Sequence, residues 1–126
     1  MPTSKHAAPD RDNPTVRRSP CPVACALDLF GDRWTLLIIR DLILGRRRFK
    51  EFAESPEGIP TNILSNRLER LLNGGVVRQI PADKGSRRLA YELTEKGLAL
   101  RPILLTIRDW GLQWEPETKA GMERGD

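Results

Sequence analysis

Asn62, Asn66 and Asn73 recur along one side of the stretch 62–73, with Ser65, Arg67, Glu69 and Arg70 among them. An amide side chain accepts and donates at once, which suits bidentate contact with adenine, and a guanidinium suits guanine or phosphate. The opposite side carries Leu64, Leu68, Leu71 and Leu72 at i, i+4, i+7 and i+8, so the stretch reads as an amphipathic helix. A helix that only faced solvent would more often show Glu/Lys pairs one turn apart, and Asn is a poor helix former. Three of them on one face point to a surface that reads base edges in the major groove of duplex DNA. Further along, Lys84, Arg87 and Arg88 flank Gly85 in a polar loop suited to phosphate contact.

Charge supports this reading. The 126-residue chain has a net charge of +4, and the segment from Gly45 to Tyr91 holds ten basic and five acidic residues, enough to account for the whole excess. A basic segment inside a domain is the electrostatic footprint of a nucleic-acid binder. Enzymatic chemistry finds little material: His6 is the single histidine, no Gly-rich phosphate loop follows a strand, and no Ser/His/Asp set assembles. Cys21, Cys25 and His6, with Asp28, lack a clear fourth ligand for a closed zinc site, so no metal, cofactor or catalytic residue is assigned. No apolar run reaches the roughly 18 residues of a membrane span, and the first twenty residues lack the apolar core of a signal peptide. A cytoplasmic protein is expected, with both cysteines as thiols.

The elements that must position these residues follow from local signals. Residues 1–19 are polar and Pro-broken and read as a flexible arm, 20–114 as one domain, and 115–126 as a flexible tail. Pro22 suits the first turn of a helix running to Phe30. Asp32 is placed as the cap of a buried helix from Arg33 to Leu44, with Gly45 just past its end. A short extended piece at 46–48 precedes a third helix, Phe49 to Ser55, and the Pro56-Glu57-Gly58 turn. Thr61 is the expected N-cap of the fourth helix, which Gly74-Gly75 ends. Val76–Ile80 and Leu89–Leu93 read as a hairpin, with Leu89, Tyr91 and Leu93 on one face. Thr94 caps a last helix to Trp114 that Pro102 must kink or interrupt. The fold class is therefore α+β, mainly α: a winged helix-turn-helix with flanking N- and C-terminal helices.

The order Cys21-Pro22, Gly31-Asp32-Arg33-Trp34-Thr35, Leu37-Ile38-Ile39-Arg40, Arg48-Phe49, Glu51-Phe52, Ile59-Pro60, Leu64-Ser65, Arg67-Leu68 and Tyr91-Glu92-Leu93-Thr94-Glu95-Lys96-Gly97 resembles the HxlR-type regulators. These are a bacterial winged-helix family related in build to MarR-type regulators. The resemblance implies a non-enzymatic homodimer on pseudo-palindromic promoter DNA. It implies DNA contacts from Thr61, Asn62, Ser65, Asn66 and Arg67 in the recognition helix, and from Arg48, Lys84, Arg87 and Arg88 at the wing and backbone. Two features depart from the family pattern: Asp32 stands where a second Gly is usual, and Ser86-Arg87-Arg88-Leu89-Ala90 makes the wing more basic. The alternative is a winged helix used only for protein contacts, which should show apolar or aromatic residues on the outer face of helix 62–73; it shows none.

Two further expectations concern assembly and control. Val23, Leu27 and Phe30, with Ile103, Ile107, Trp110 and Trp114, offer more apolar surface than so small a domain needs, which marks a dimer interface. Cys21 begins the first helix, where exposed N–H groups and partial positive charge make a thiol reactive. With some HxlR-type regulators responding to electrophiles or oxidants through a cysteine in this region, the resemblance makes Cys21 the candidate redox or electrophile sensor, and a small-molecule or electrophile effector a candidate partner besides DNA.

Overall fold

The computed structural model describes residues 19–119. The expected arm, apart from Ser19, and residues 120–126 of the expected tail lie outside the described residues. Eight elements follow in order: α1 (Pro22–Phe30), α2 (Thr35–Ile43), α3 (Phe49–Ala53), α4 (Thr61–Asn73), β1 (Val77–Pro81), β2 (Leu89–Leu93), α5 (Glu95–Leu98) and α6 (Arg101–Trp114). β1 and β2 form an antiparallel hairpin with Val77 opposite Leu93 and Pro81 opposite Leu89. This is a mainly helical winged helix-turn-helix.

The helix ends obey local chemistry. Past α2, the Gly45 N–H bonds to the Leu42 carbonyl at 3.1 Å and the Arg46 N–H to the Asp41 carbonyl at 2.9 Å. Past α4, the Gly75 N–H reaches Leu72 at 3.1 Å and the Val76 N–H reaches Leu71 at 2.9 Å. This double bond pattern puts the residue just past the cap in the left-handed region, and Gly45 and Gly75 hold φ of 100° and 73° there. The Thr94 hydroxyl accepts from the Gly97 N–H at 3.2 Å, as a cap should.

Several boundaries differ from the sequence reading: α2 ends at Ile43 rather than Leu44, α3 ends at Ala53 rather than Ser55, and β1 runs Val77–Pro81 rather than Val76–Ile80. α2 starts at Thr35 rather than Arg33, although Asp32 does satisfy the N–H groups of Trp34 and Thr35, at 3.0 and 3.1 Å. Thr61 is the first residue of α4 and not its cap: Pro60 holds the cap position, and its ring offers no oxygen to the helix amides. The last helix is interrupted, as Pro102 requires, into α5 and α6, with Pro102 in the first turn of α6 where its missing N–H is harmless.

One core serves all the elements. Ile38, Ile39, Leu42, Phe52, Leu64, Leu68, Leu71, Val76 and Leu104 are buried together. α1 and α6 both pack on α2, and α3 on α4, so α2 is the beam on which the rest is mounted. Tyr91 and Leu93 of the expected strand face pack against the core, and Leu89 does not. Ala90 is the buried residue of β2, Tyr91 and Leu93 are half-buried, and Leu89 is exposed. Leu89 pairs with Pro81 at the outer end of the hairpin, beyond the reach of the core.

A charged cluster fixes the helix-turn-helix angle. Asp41 is buried, and its Oδ1 accepts from Arg40 Nη2 at 2.9 Å and Arg46 Nη1 at 3.1 Å. The Ser55 hydroxyl, just past α3, donates to Asp41 Oδ2. Arg40 also grips Glu57 in a two-pronged pair at 2.8 and 2.9 Å. That grip holds the Glu57 carboxyl below its ordinary value. A buried carboxylate persists only when its oxygens are paired, so α2 and the turn before α4 are locked together.

Candidate nucleic-acid interface

α4 turns its leucines into the core and leaves Thr61, Asn62, Ser65, Asn66, Glu69 and Asn73 exposed on its outer face. Thr61, Asn62, Ser65 and Asn66 thus form one contiguous polar patch over the first turns of the helix. The two arginines of α4 behave otherwise. Arg70 reaches back to α1, where its Nη2 donates to the Asp28 carbonyl at 2.7 Å. Arg67, an expected DNA contact, is half-buried and pairs with Asp32: Nε donates to Oδ2 at 2.9 Å. Its Nη1 donates to Oδ1 of Asn66. The amides and hydroxyls of this face are exposed, whereas the Arg67 guanidinium is drawn against an acid from before α2. Partial burial pushes the Asp32 carboxyl up, but hydrogen bonds from Thr35, Arg67 and the Trp34 amide outweigh this and hold it below the ordinary value.

The hairpin stands beside α3. Lys84, Arg87 and Arg88 are all exposed around its tip. The Ala82 N–H bonds to the Arg88 carbonyl at 2.8 Å, extending the ladder toward the tip. The expected extended piece at 46–48 runs along β2, where the Tyr91 N–H reaches the Arg47 carbonyl at 2.8 Å. Arg48 is not free: its Nη2 pairs with Asp83 at 3.0 Å, tying the start of α3 to the hairpin tip. Glu51 accepts from the N–H groups of Arg47 and Arg48, each at 3.0 Å, and these bonds lower its carboxyl's pKa. An open cleft of about 490 Å³ lies here, lined by Arg47, Arg48, Lys50, Glu51, Glu54, Ala82, Asp83 and Ala90.

The sequence reading missed the Asp32–Arg67 and Asp41–Ser55 contacts. For Asp41 a signal existed, since an acid interrupts the run Leu36-Leu37-Ile38-Ile39 and Leu42-Ile43-Leu44. For Asp32 the capping role hid the second partner, 35 residues away.

The remaining expected residues lie elsewhere. Val23 and Leu27 on α1 and Ile103, Ile107, Trp110 and Trp114 on α6 are exposed, and Phe30 is half-buried. Cys21 is an exposed free thiol at the cap position of α1; Cys25 is half-buried and donates to the Ser19 carbonyl. Among the described residues no group of three or more His, Cys, Asp or Glu could hold a metal ion, and no helix is long and apolar enough to cross a membrane.

The HxlR-like helix-turn-helix family matches residues 29–119. The HTH-type transcriptional regulator Rv3095 of Mycobacterium tuberculosis is 39% identical over 78% of this chain, which spans 61% of that relative's length. The solved structure of PA1607 is 44% identical with a TM-score of 0.74, covering 82% of this chain and 72% of that one. The reduced form of the Bacillus subtilis transcriptional regulator YodB is 32% identical with a TM-score of 0.63, covering 80% of this chain and all of that one. YodB has also been solved diamide-treated and quinone-bound. With the family matched over most of its length and relatives that are HTH-type regulators, this chain belongs to the HxlR-like helix-turn-helix family of transcriptional regulators.

Proposed function

We propose that the protein is a cytoplasmic, sequence-specific DNA-binding regulator that acts as a homodimer on a pseudo-palindromic operator. The observation that carries the reading is the outer face of α4. Exposed Asn62, Ser65 and Asn66 form a hydrogen-bonding surface on a helix whose opposite face is anchored in the core. In this reading that face enters the major groove, Thr61 adds a contact at the first turn, and Lys84, Arg87 and Arg88 of the wing hold phosphates. Arg48 positions the wing through Asp83 and faces the backbone when that exposed pair opens. Duplex binding measured across salt tests this directly. Neutralised phosphates release counterions, so log affinity should fall linearly with log salt, at about −0.9 per phosphate contact. Binding that ignores salt removes the reading.

Cys21 is proposed as the sensor of thiol-reactive compounds. Its exposure at the start of α1 supports this, as does similarity to a regulator solved in quinone-bound and diamide-treated forms. Treatment with a quinone should change operator affinity in the wild type and leave Cys21→Ser unaffected. Unchanged affinity with mass spectrometry confirming full modification at Cys21 would overturn the role. A response that survives in Cys21→Ser moves it to Cys25 or to a non-covalent ligand.

A further inference from the structure

We infer that Asp32 is a positioning residue for base reading, acting through Arg67 on the amide of Asn66. The inference rests on the DNA-binding reading of α4 and assigns within it a role that no contact to DNA would reveal. Asp32 uses both oxygens. Oδ2 accepts from the N–H groups of Trp34 and Thr35 and from Arg67 Nε, and Oδ1 accepts from the Thr35 hydroxyl at 2.6 Å. The carboxylate is thereby fixed to the start of α2. Arg67 lies across it as a strut, with Nε on Asp32 and Nη1 on Asn66 Oδ1.

The consequence lies in the order of donor and acceptor on Asn66. Adenine presents an N7 acceptor and an N6 donor side by side, so an amide must meet it with its nitrogen toward N7 and its oxygen toward N6. A free amide swaps ends by rotating about its last torsion. Here one lone pair of Oδ1 is taken by Arg67, so the oxygen end is fixed, its second lone pair remains for N6–H, and Nδ2 is left as a donor. Rotation would put the Nδ2 hydrogens against the guanidinium. The same strut draws a cation that would otherwise reach a phosphate into a half-buried ion pair, leaving the centre of α4 to amides. Arg67 therefore supports base reading and contributes little to backbone attraction.

Two substitutions separate this from a capping role. Asp32→Asn keeps a good helix cap but removes the charge that holds Arg67. Arg67→Gln removes the strut and leaves Asp32 and its cap in place. Sites should be selected from a random duplex library with each protein, and salt slopes measured on selected and random DNA. Both variants should lose preference at one position of each half-site, with the selected-to-random affinity ratio falling about tenfold. Asp32→Asn should also steepen the salt slope by about 0.9 per subunit, as the freed Arg67 finds a phosphate. Arg67→Gln should leave the slope unchanged. If Arg67→Gln flattens the slope and weakens all DNA equally, Arg67 is a direct phosphate contact and the strut is overturned. Variants that select the wild-type site with undiminished sharpness overturn it as well. A wild type that binds no duplex overturns this inference together with the DNA reading; a wild type that binds and selects confines any failure to the strut.

Discussion

Asn66→Ala weakens binding to the protein's own operator by roughly 1–3 kcal/mol per contacted base pair while leaving affinity for random duplex nearly unchanged. The asymmetry follows from chemistry. Random DNA is held by phosphate contacts, to which a neutral amide contributes little. The operator also supplies a base whose edge pairs with the amide, and truncation leaves that edge unpaired in a desolvated groove. Asn66 is the residue to test because it is exposed, lies near the middle of the polar face of α4, and has its amide oxygen oriented by Arg67. In a symmetric dimer each substitution acts at both half-sites, so the loss appears twice. Arg87→Ala should behave oppositely, weakening operator and random DNA about equally and flattening the salt dependence. Gel-shift titrations of both variants against both DNAs separate the roles. An Asn66→Ala protein with wild-type affinity and preference would move recognition off this helix.

How far this architecture is legible in the sequence depends on the range of the interaction. Helix ends are local, so Gly45, Gly74-Gly75 and Thr94 announce them correctly. The leucine spacing of 64–72 places α4, and its leucines are buried except for Leu72, which is half-buried. Tertiary pairing is not written in spacing. Arg67 looks like an outward cation until Asp32, brought near by the packing of α2 and α4 on a shared core, captures it. Ala90 shows the same limit in β2: alternation favours Leu89, Tyr91 and Leu93, yet the fully buried residue is Ala90 on the other face, beside Arg47, Arg48 and Lys50. Tyr91 instead packs its ring against Phe52, with centroids 6.1 Å apart.

Ile107→Glu and Trp110→Glu should each turn the proposed dimer into monomers, aggregates or both. α1 is an apolar helix with no buried residue, and α6 buries Leu104 alone. On α6, Ile103, Ile107, Trp110 and Trp114 follow one another at i, i+4, i+7 and i+11, and the last three are 48%, 60% and 62% exposed. A stripe of that composition stays dry only against another apolar surface. Both helices rest on α2, so they share a mounting from which a second copy can cover them. A carboxylate placed in that contact must be desolvated without a partner, at a cost of several kcal/mol. The two-fold axis doubles it. A loss of about 3 kcal/mol is a shift of more than a hundredfold in the dissociation constant. Leu89→Glu is the control, since Leu89 is equally exposed, at 51%, but stands at the outer end of the hairpin away from both helices; it should leave the assembly state unchanged. The proposed dimer would set the spacing of two recognition helices to about one turn of DNA, roughly 10 bp. The α6 variants should therefore lose operator affinity far more than they lose affinity for random duplex. Sedimentation that finds the wild type monomeric at micromolar concentration, both free and on DNA, would leave the apolar stripe without this partner and break the link between α6 and operator spacing.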